Sequence, residues 1–374
     1  MANLKSIHIS GWKSIRTIDG LIGLGPLNVL IGANGSGKSN FISFFTFMRE
    51  LLDEKLRVFV RRSVGANSLL YRGVKTTKRL SGLMHFQSDD RDYTFRFQLI
   101  PDESDSLIFV EELVYGYKSD GSIAKFDGGL LDSTSSDESR LKLKAELGDP
   151  TAKMLYDLLS GYRVYHFHDT SSSTGMRRAS EIAGNHELAP DAGNLASMLY
   201  LYKMKYPLVY RRIVTTIRKV LPGFDDFFLI PEELSPESIR LDWRQTWSDY
   251  LLHPYQISDG SLRAMAMITL LMQPEERYPS IIVLDEPELG LHPHAIEIIA
   301  GLIRSASLKT QLIVATQSPA LLDHFDPEEI IVVDSLDGES KFSRLSSEHL
   351  KDWLDRYSIG ELWEKNVVGG GPLR

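Results

Sequence analysis

Fourteen residues near the N-terminus, LNVLIGANGSGKSN from Leu27 to Asn40, constrain this chain more than any other stretch. A short apolar run (Leu27, Val29, Leu30, Ile31) enters a loop of the form G-x-x-x-x-G-K-S, Gly32 to Ser39, and an apolar helical pattern follows. Strand, glycine loop and helix in that order are the context that a phosphate-binding P-loop requires. Gly32, Gly35 and Gly37 let the backbone take positive φ and turn its N–H groups inward, so that with the helix N-terminus they cradle a polyphosphate. Lys38 then supplies a point charge to the β and γ phosphates, and Ser39 offers a hydroxyl to Mg²⁺. The expected nucleotide-binding set is Gly32, Asn34, Gly35, Ser36, Gly37, Lys38, Ser39 and Asn40.

Bulk properties narrow the class further. At 374 residues the chain holds two or three average domains or one elaborated α/β domain. No apolar run approaches the ~18 to 20 residues of a membrane span, and the opening MANLKSIHISGW lacks the apolar core of a signal peptide. With no cysteine, disulfides, thiolate metal sites and cysteine nucleophiles are excluded. The expectation is a cytoplasmic protein with no membrane partner. A net charge of −8 argues against a surface that embraces nucleic acid as a whole, though not against a local basic face. Two candidates for such a face are Arg57, Arg61, Arg62, Arg72, Lys75, Lys78 and Arg79, and the helical stretch with Lys203, Lys205, Arg211, Arg212, Arg218 and Lys219. Runs of this kind are more often solvated faces.

Along the chain, residues 4 to 9 read as a strand, GWKSIR follows at 11 to 16, and a second strand leads into the P-loop. The helix from Phe41 to Leu52 is apolar on nearly all sides and should be buried, with its phenylalanines in the core. From Leu83 to Tyr117 the pattern becomes two-residue alternation, with Tyr93, Phe95, Phe97 and Leu99 on one face, which implies an antiparallel meander. GGLLDSTSSDES at 128 to 139 reads as a surface connection. Helical periodicity returns at Leu141 to Leu159, a strand is expected at Tyr162 to Phe167, and one or two helices at Ala192 to Val220. Strands near Phe227 to Ile230 and Ile239 to Trp243 come next. The last third then alternates: helix Ser261 to Met272, strand Ile281 to Leu284, helix Pro293 to Arg304, then strands Gln311 to Ala315 and Ile330 to Val333. With the P-loop at one end and these strands at the other, the two ends are expected to share one sheet, the middle being an insertion.

Ile281 to Pro287, IIVLDEP, is an apolar run ending in two acids at a strand's C-terminal tip, where an open α/β sheet binds its ligand. Such a pair also opens helices as an N-cap, but beside a P-loop it reads as a Walker B segment. Asp285 then belongs to the Mg²⁺ shell, and Glu286 orients or deprotonates the attacking water.

Three further segments carry a family resemblance: ISDGSLRAMAMITLL at 257 to 271, LDEPELGLHPHA at 284 to 295 and IVATQSP at 313 to 319. With the P-loop they resemble the signature, Walker B with D-loop, and switch segments of ABC-type ATPases. The nearest likeness is the RecF/SMC-like branch, which includes the ATPase domain of the OLD family and stand-alone AAA-type ATPases. About half of the chain, at both ends, carries the resemblance. The fold it implies is an α/β P-loop NTPase of ABC-ATPase type, a mixed sheet with an antiparallel β-subdomain and an inserted helical region. The expected segments are 1–125 with P-loop and meander, 126–250 as a mainly helical insertion, 251–345 with signature, Walker B, D-loop and switch, and 346–374 as a helical tail.

The resemblance implies ATP and Mg²⁺ as cofactors and a mechanism needing two copies. Ser258 and Gly260, with Arg263, would meet the γ-phosphate held by the other protomer's P-loop, giving a head-to-tail dimer in the ATP state. Lys13 and Arg16 of GWKSIR would approach the nucleotide. The signature reads S-D-G-S where transporters have S-G-G-Q, which favours the RecF-like branch. Gln317 stands at the switch where histidine is usual; glutamine hydrogen-bonds a water or phosphate without taking a proton, so turnover is expected to be slow. No glutamine is assigned to the Q-loop: Gln87 and Gln98 read as ordinary strand residues.

Two histidine pairs need separate weighing. His292 and His294 have no third ligand nearby and read as D-loop residues, and His166 and His168 of YHFHD read as alternating strand residues. Forty residues follow Asp334, so the reading expects no Toprim nuclease domain in this sequence. The expected role is an ATP-hydrolysing switch acting on an effector protein, in a bacterial defence or toxin-antitoxin-like setting. The alternatives are a DNA-clamping repair or chromosome-associated ATPase and, less favoured, a transporter's energising subunit.

Overall fold

The P-loop strand Leu27–Ile31 is buried at every position, and its parallel partner comes from the far end of the chain: Val29, Leu30 and Ile31 lie opposite Ile330, Ile331 and Val332. The two ends of the polypeptide therefore meet in one sheet, as expected. This arrangement is seen in a computed structural model that describes residues 3–18, 20, 22–88, 91–118, 129–132 and 136–371. Strand Ile330–Leu336 turns back through Asp337 and Gly338, both at positive φ, into the antiparallel strand Glu339–Arg344. That last strand was not anticipated. Its ESKFSR sequence is polar, although the Asp-Gly pair before it is a strong hairpin signal.

Chain contacts divide the molecule into two compact units, Met1–Tyr162 with Asp326–Arg374, and Arg163–Phe325. These limits differ from the four segments expected at 125, 250 and 345. The limit at 125 falls outside the described residues, as do 128 and 133–135 of the polar stretch at 128–139. Gly129–Asp132 of that stretch is a strand rather than a surface connection. The segment 126–250, expected to be mainly helical, holds helices at 141–146, 150–160, 195–205 and 207–220 but also two small antiparallel sheets.

In the first unit, strand Asn3–Trp12 pairs antiparallel with Leu80–Gln87, which continues through Arg91–Pro101 and Leu107–Lys118 as the expected meander. Period-two alternation puts Met84, Phe86, Tyr93, Phe95, Phe97, Leu99 and Phe109 on its buried face. The P-loop helix Lys38–Leu52 packs there, burying Phe41, Phe44, Phe45, Phe47, Met48, Leu51 and Leu52. Phe44 stacks on Phe97 with ring centroids 6.3 Å apart and meets Trp12 edge-on at 5.9 Å. Gly82 makes room for this contact, because a Cβ there would enter the rings of Phe97 and Phe44. Aromatic burial of this density fixes the helix, and with it the loop at its N-terminus.

In the second unit, the buried run Ile281–Asp285 pairs in parallel with Gln311–Thr316, Asp285 opposite Ala315, and helix Pro293–Ser307 makes the crossover. Residues 163–165 of strand Tyr162–Tyr165 lie along the other side of Ile281–Asp285. Helix Asp259–Leu271 is buried over most of its length, from Leu262 to Leu271 apart from Arg263.

Candidate functional site

Glycine geometry shapes the P-loop. Gly35 and Gly37 take φ of 80° and 111°. Gly32 does not take positive φ; it is needed for close approach, since a Cβ would run into the Val333 carbonyl and the Ser36 side chain. Gly37 is the N-cap of the P-loop helix and supplies no side-chain cap, leaving the first-turn N–H groups as an anion site. Ser36 Oγ is buried with no hydrogen-bond partner among the described residues. Lys38 is buried, and its Nζ donates to the carbonyls of Gly32 and of Ala33 (3.1 Å). Asn34, Gly35 and Ser39 are exposed.

The loop is braced from behind. Ser340 Oγ donates to the Ser36 carbonyl (2.6 Å) and bonds Ser14 Oγ (2.7 Å), which also accepts from Asn40 Nδ2 (2.7 Å). Near the C-terminus, the Gly370 carbonyl accepts from Ala33 N (2.8 Å) and Trp363 Nε1 (3.1 Å). Lys13, at φ 46°, donates from Nζ to Ser43 Oγ at 3.0 Å, and burial pulls its ammonium below the usual pKa. Arg16 is exposed on the short strand Ile15–Thr17.

In the second unit the Walker B acids stand at the tip of Ile281–Asp285. Glu286 takes φ 47°, unusual for a side chain of its size, and its N–H donates to the Ala315 carbonyl at 2.8 Å. The turn aims its carboxylate at the switch, where the Gln317 side-chain amide donates to Glu286 Oε1. Glu288 braces the same corner: its Oε1 accepts from Thr316 Oγ1 (2.5 Å) and Gln317 N (3.1 Å), while Oε2 is buried with no partner among the described residues. Burial pushes the Glu288 carboxyl above its usual pKa, against the lowering effect of those two bonds.

Two residues read as strand histidines prove to be elsewhere. The strand ends at Tyr165, and His166 and His168 lie beyond its tip beside Asp285. His166 Nδ1 is 3.5 Å from Asp285 Oδ2, and His168 Nε2 is 3.2 Å from the Asp285 carbonyl. A carbonyl only accepts, so His168 carries its proton on Nε2. The signal was present in the sequence: in YHFHD, as in IVLDE, polar groups follow one another at a strand's tip.

The signature segment opens helix Asp259–Leu271. Ser258 is its N-cap, accepting from Ser261 N at 3.2 Å, and both Ser258 and Asp259 are exposed. A Cβ on Gly260 would strike the Gly290 carbonyl, so only glycine lets these segments touch. Arg263 is directed into its own unit, donating to the carbonyls of Phe167 (3.0 Å) and His168 (2.8 Å). Arg177, only 5% exposed, donates to the Thr170 (2.9 Å) and Ile257 (3.0 Å) carbonyls and to Asp259 Oδ1 (2.7 Å). Sequence reasoning missed Arg177, Glu288 and the histidine loop. His292 caps helix Pro293–Ser307, and His294 pairs with Glu297 at 3.6 Å.

An uncapped helix N-terminus, a glycine cradle and an orphaned serine hydroxyl fit a nucleoside triphosphate. Among the described residues no group of three or more His, Asp or Glu is placed to hold a metal alone. Mg²⁺ ordinarily takes one or two protein oxygens and completes its shell with phosphates and water; the exposed Ser39 hydroxyl of the first unit and the Asp285 carboxylate of the second are each groups of that chemistry.

Fold and site together define a P-loop AAA domain with the fold of SMC heads. The chain belongs to the family described as "AAA domain, putative AbiEii toxin, Type IV TA system", whose model matches residues 27–323. Among solved structures it is similar to an SMC head bound to the C-terminal winged-helix domain of ScpA, with a TM-score of 0.61 and 17% identity over 94% of this chain and 99% of that one. An SMC head with an extended coiled coil, bound to the C-terminal domain of ScpA derived from Pyrococcus furiosus, gives 0.60 and 16% over 95% and 99%. One from Pyrococcus yayanosii gives 0.55 and 13% over 95% and 99%. No protein of curated function matches the chain in sequence. Among the described residues no helix is long and apolar enough to cross a membrane.

Proposed function

We propose that this ATPase is a molecular switch that dimerises head-to-tail around Mg-ATP and passes the change to an effector protein. The observation that carries the reading is the signature turn. Ser258 and Asp259 stand exposed on a helix N-terminus while the glycines, Arg263 and Arg177 hold everything behind them in place. Such a turn is a ready acceptor for a phosphate presented by a second copy. Lys38 and the glycine cradle would hold the triphosphate of the same chain, and the Ser39 hydroxyl would be offered to its Mg²⁺, which when bound neutralises charge developing on the phosphates. Glu286, held by the Gln317 amide, would position the attacking water and accept its proton. Gln317 has no proton to exchange, so it acts by orientation. The family description, which names a putative AbiEii toxin and a type IV toxin-antitoxin system, supports the toxin-antitoxin setting.

Glu286→Gln should retain ATP, lose hydrolysis and sediment as a dimer only with ATP and Mg²⁺. Lys38→Ala should lose nucleotide affinity. If Glu286→Gln binds ATP yet stays monomeric, the two-copy mechanism is wrong; if it hydrolyses ATP at the parent rate, the role given to Glu286 is wrong. Affinity capture of the ATP-loaded Glu286→Gln form from its native host then identifies the partner, and recovery of nucleic acid in place of protein would favour the DNA-clamping reading.

A further inference from the structure

We propose that a cleft in the second unit, between helices Pro207–Val220 and Pro293–Ser307, docks an acidic segment of a partner protein and takes one of its side chains as an anchor. The inference names the chemistry of the effector in the preceding reading, and rests on that reading for there being a protein partner.

Helix Pro207–Val220 has two faces. Tyr210, Ile213, Val214 and Ile217 recur at helical spacing and are buried, whereas Leu208, Arg211, Arg212 and Thr215 are exposed. Met272 ends helix Asp259–Leu271, and the chain continues through Gln273 and Pro274. Val209, Arg212, Met272, Gln273, Leu302 and Lys309 line a cleft of about 180 Å³. A shallower groove of about 600 Å³, bordered by Leu208, Arg211 and Thr215, shares Arg212 and Met272 with the cleft, so the two are continuous.

One group in the cleft points to a ligand. Gln273 is 5% exposed, and its Nε2 has no hydrogen-bond partner among the described residues. A buried amide donor is ordinarily paired, so this one calls for an acceptor that its own unit does not supply. The rim is cationic. Arg212 and Lys309 are exposed and make no ion pair among the described residues, and Lys309 Nζ lies over the Tyr278 ring at 5.8 Å. Arg211 donates to the Pro207 carbonyl at 3.3 Å. Among the described residues that line cleft and groove, these three cations face a single carboxylate, that of exposed Glu275, on a chain whose net charge is −8.

Size and chemistry select the occupant. A cleft of about 180 Å³ is smaller than the roughly 300 Å³ at which pockets begin to enclose drug-sized molecules, and it suits one side chain. Val209, Met272 and Leu302 offer apolar contact to the stem of that side chain, and the Gln273 amide offers a donor to an acceptor at its end. The guanidiniums of Arg211 and Arg212 then meet carboxylates flanking the anchor. A nucleic-acid strand is the poorer match. Its phosphates would pair with the arginines but leave the apolar cleft empty, and Arg218 of the same helix is already held by Asp225 at 2.9 Å.

The test pans the full chain against a displayed library of random short peptides, then measures the enriched peptide, fluorescently labelled, by anisotropy. Enrichment of Asp and Glu around an anchor whose side chain carries an acceptor is expected, with affinity falling about tenfold in Arg212→Glu and in Gln273→Met. Lys75→Glu makes the same charge change at an exposed site in the first unit and should leave the affinity as it is. Arg212 is exposed, so its replacement probes the surface without disturbing the interior, and the preference of the parent protein decides the matter if Gln273→Met does not fold. A library that yields no acidic preference, or an equal loss in Lys75→Glu, overturns the assignment. So does a labelled poly-thymidine strand that binds through Arg212 where the peptide does not. Sedimentation of Glu286→Gln with ATP reads the switch separately: an ATP-dependent dimer without acidic-peptide binding removes the docking site alone, and a monomer that binds the peptide removes the two-copy switch alone.

Discussion

Glu288 shows how one atom sets a measurable property. Its Oε2 is buried with no partner among the described residues, and burial raises its pKa, so the folded protein binds a proton that the unfolded chain has already released as pH rises above about 4.5. Stability is therefore lost as pH climbs from that ordinary value through the raised one. Glu288→Gln should remove this slope and melt no lower than the parent at neutral pH, which thermal melting at a series of pH values checks. An unchanged slope would assign the pH response to another group. At this scale the positions of motif residues were legible in the sequence: Lys38 opens the P-loop helix, Asp285 ends its strand and Glu286 follows it. It was silent on Arg177 and misleading on His166, because their roles depend on neighbours about 80 to about 120 positions away in the chain, a separation that no local pattern encodes.

Among the elements, the P-loop helix and the meander could be read in advance because apolar periodicity is strong there, with Phe44 and Phe97 on the faces their spacing assigns. The polar hairpin strand Glu339–Arg344 could not, although it sets the Ser340 hydroxyl against Ser36. The C-terminal glycines are a similar case. Gly370 takes φ 65°, and a Cβ there would come within 2.7 Å of Val332 Cγ1 and 3.1 Å of the Val333 carbonyl. Gly370→Val should therefore cost roughly 1 to 3 kcal/mol from backbone strain and the disturbed bond to Ala33. The expected result is a matching drop in urea stability with weakened ATP binding. Parent-like ATP affinity in the destabilised variant would show that the tail braces the fold alone.

For the whole molecule the sharpest prediction concerns pairs of chains. Lys38→Ala lacks the phosphate lysine, and Ser258→Arg would block the signature turn; each alone should be inactive. Mixed in equal amounts, they form hybrids in which one of two composite sites is intact, so roughly a quarter of parental ATPase activity should return if pairing is random and sites are independent. Failure to recover any activity while hybrids form would mean that both sites must fire together. The P-loop helix adds one consequence within a single unit. Along its buried side, packed with Phe41, Phe44, Phe45 and Phe47, it has no slack surface on which to slide, and close-packed interiors transmit displacement rather than absorb it. A charge arriving at its first turn therefore pushes a piston, and the meander strand bearing Phe97 is the plate it strikes.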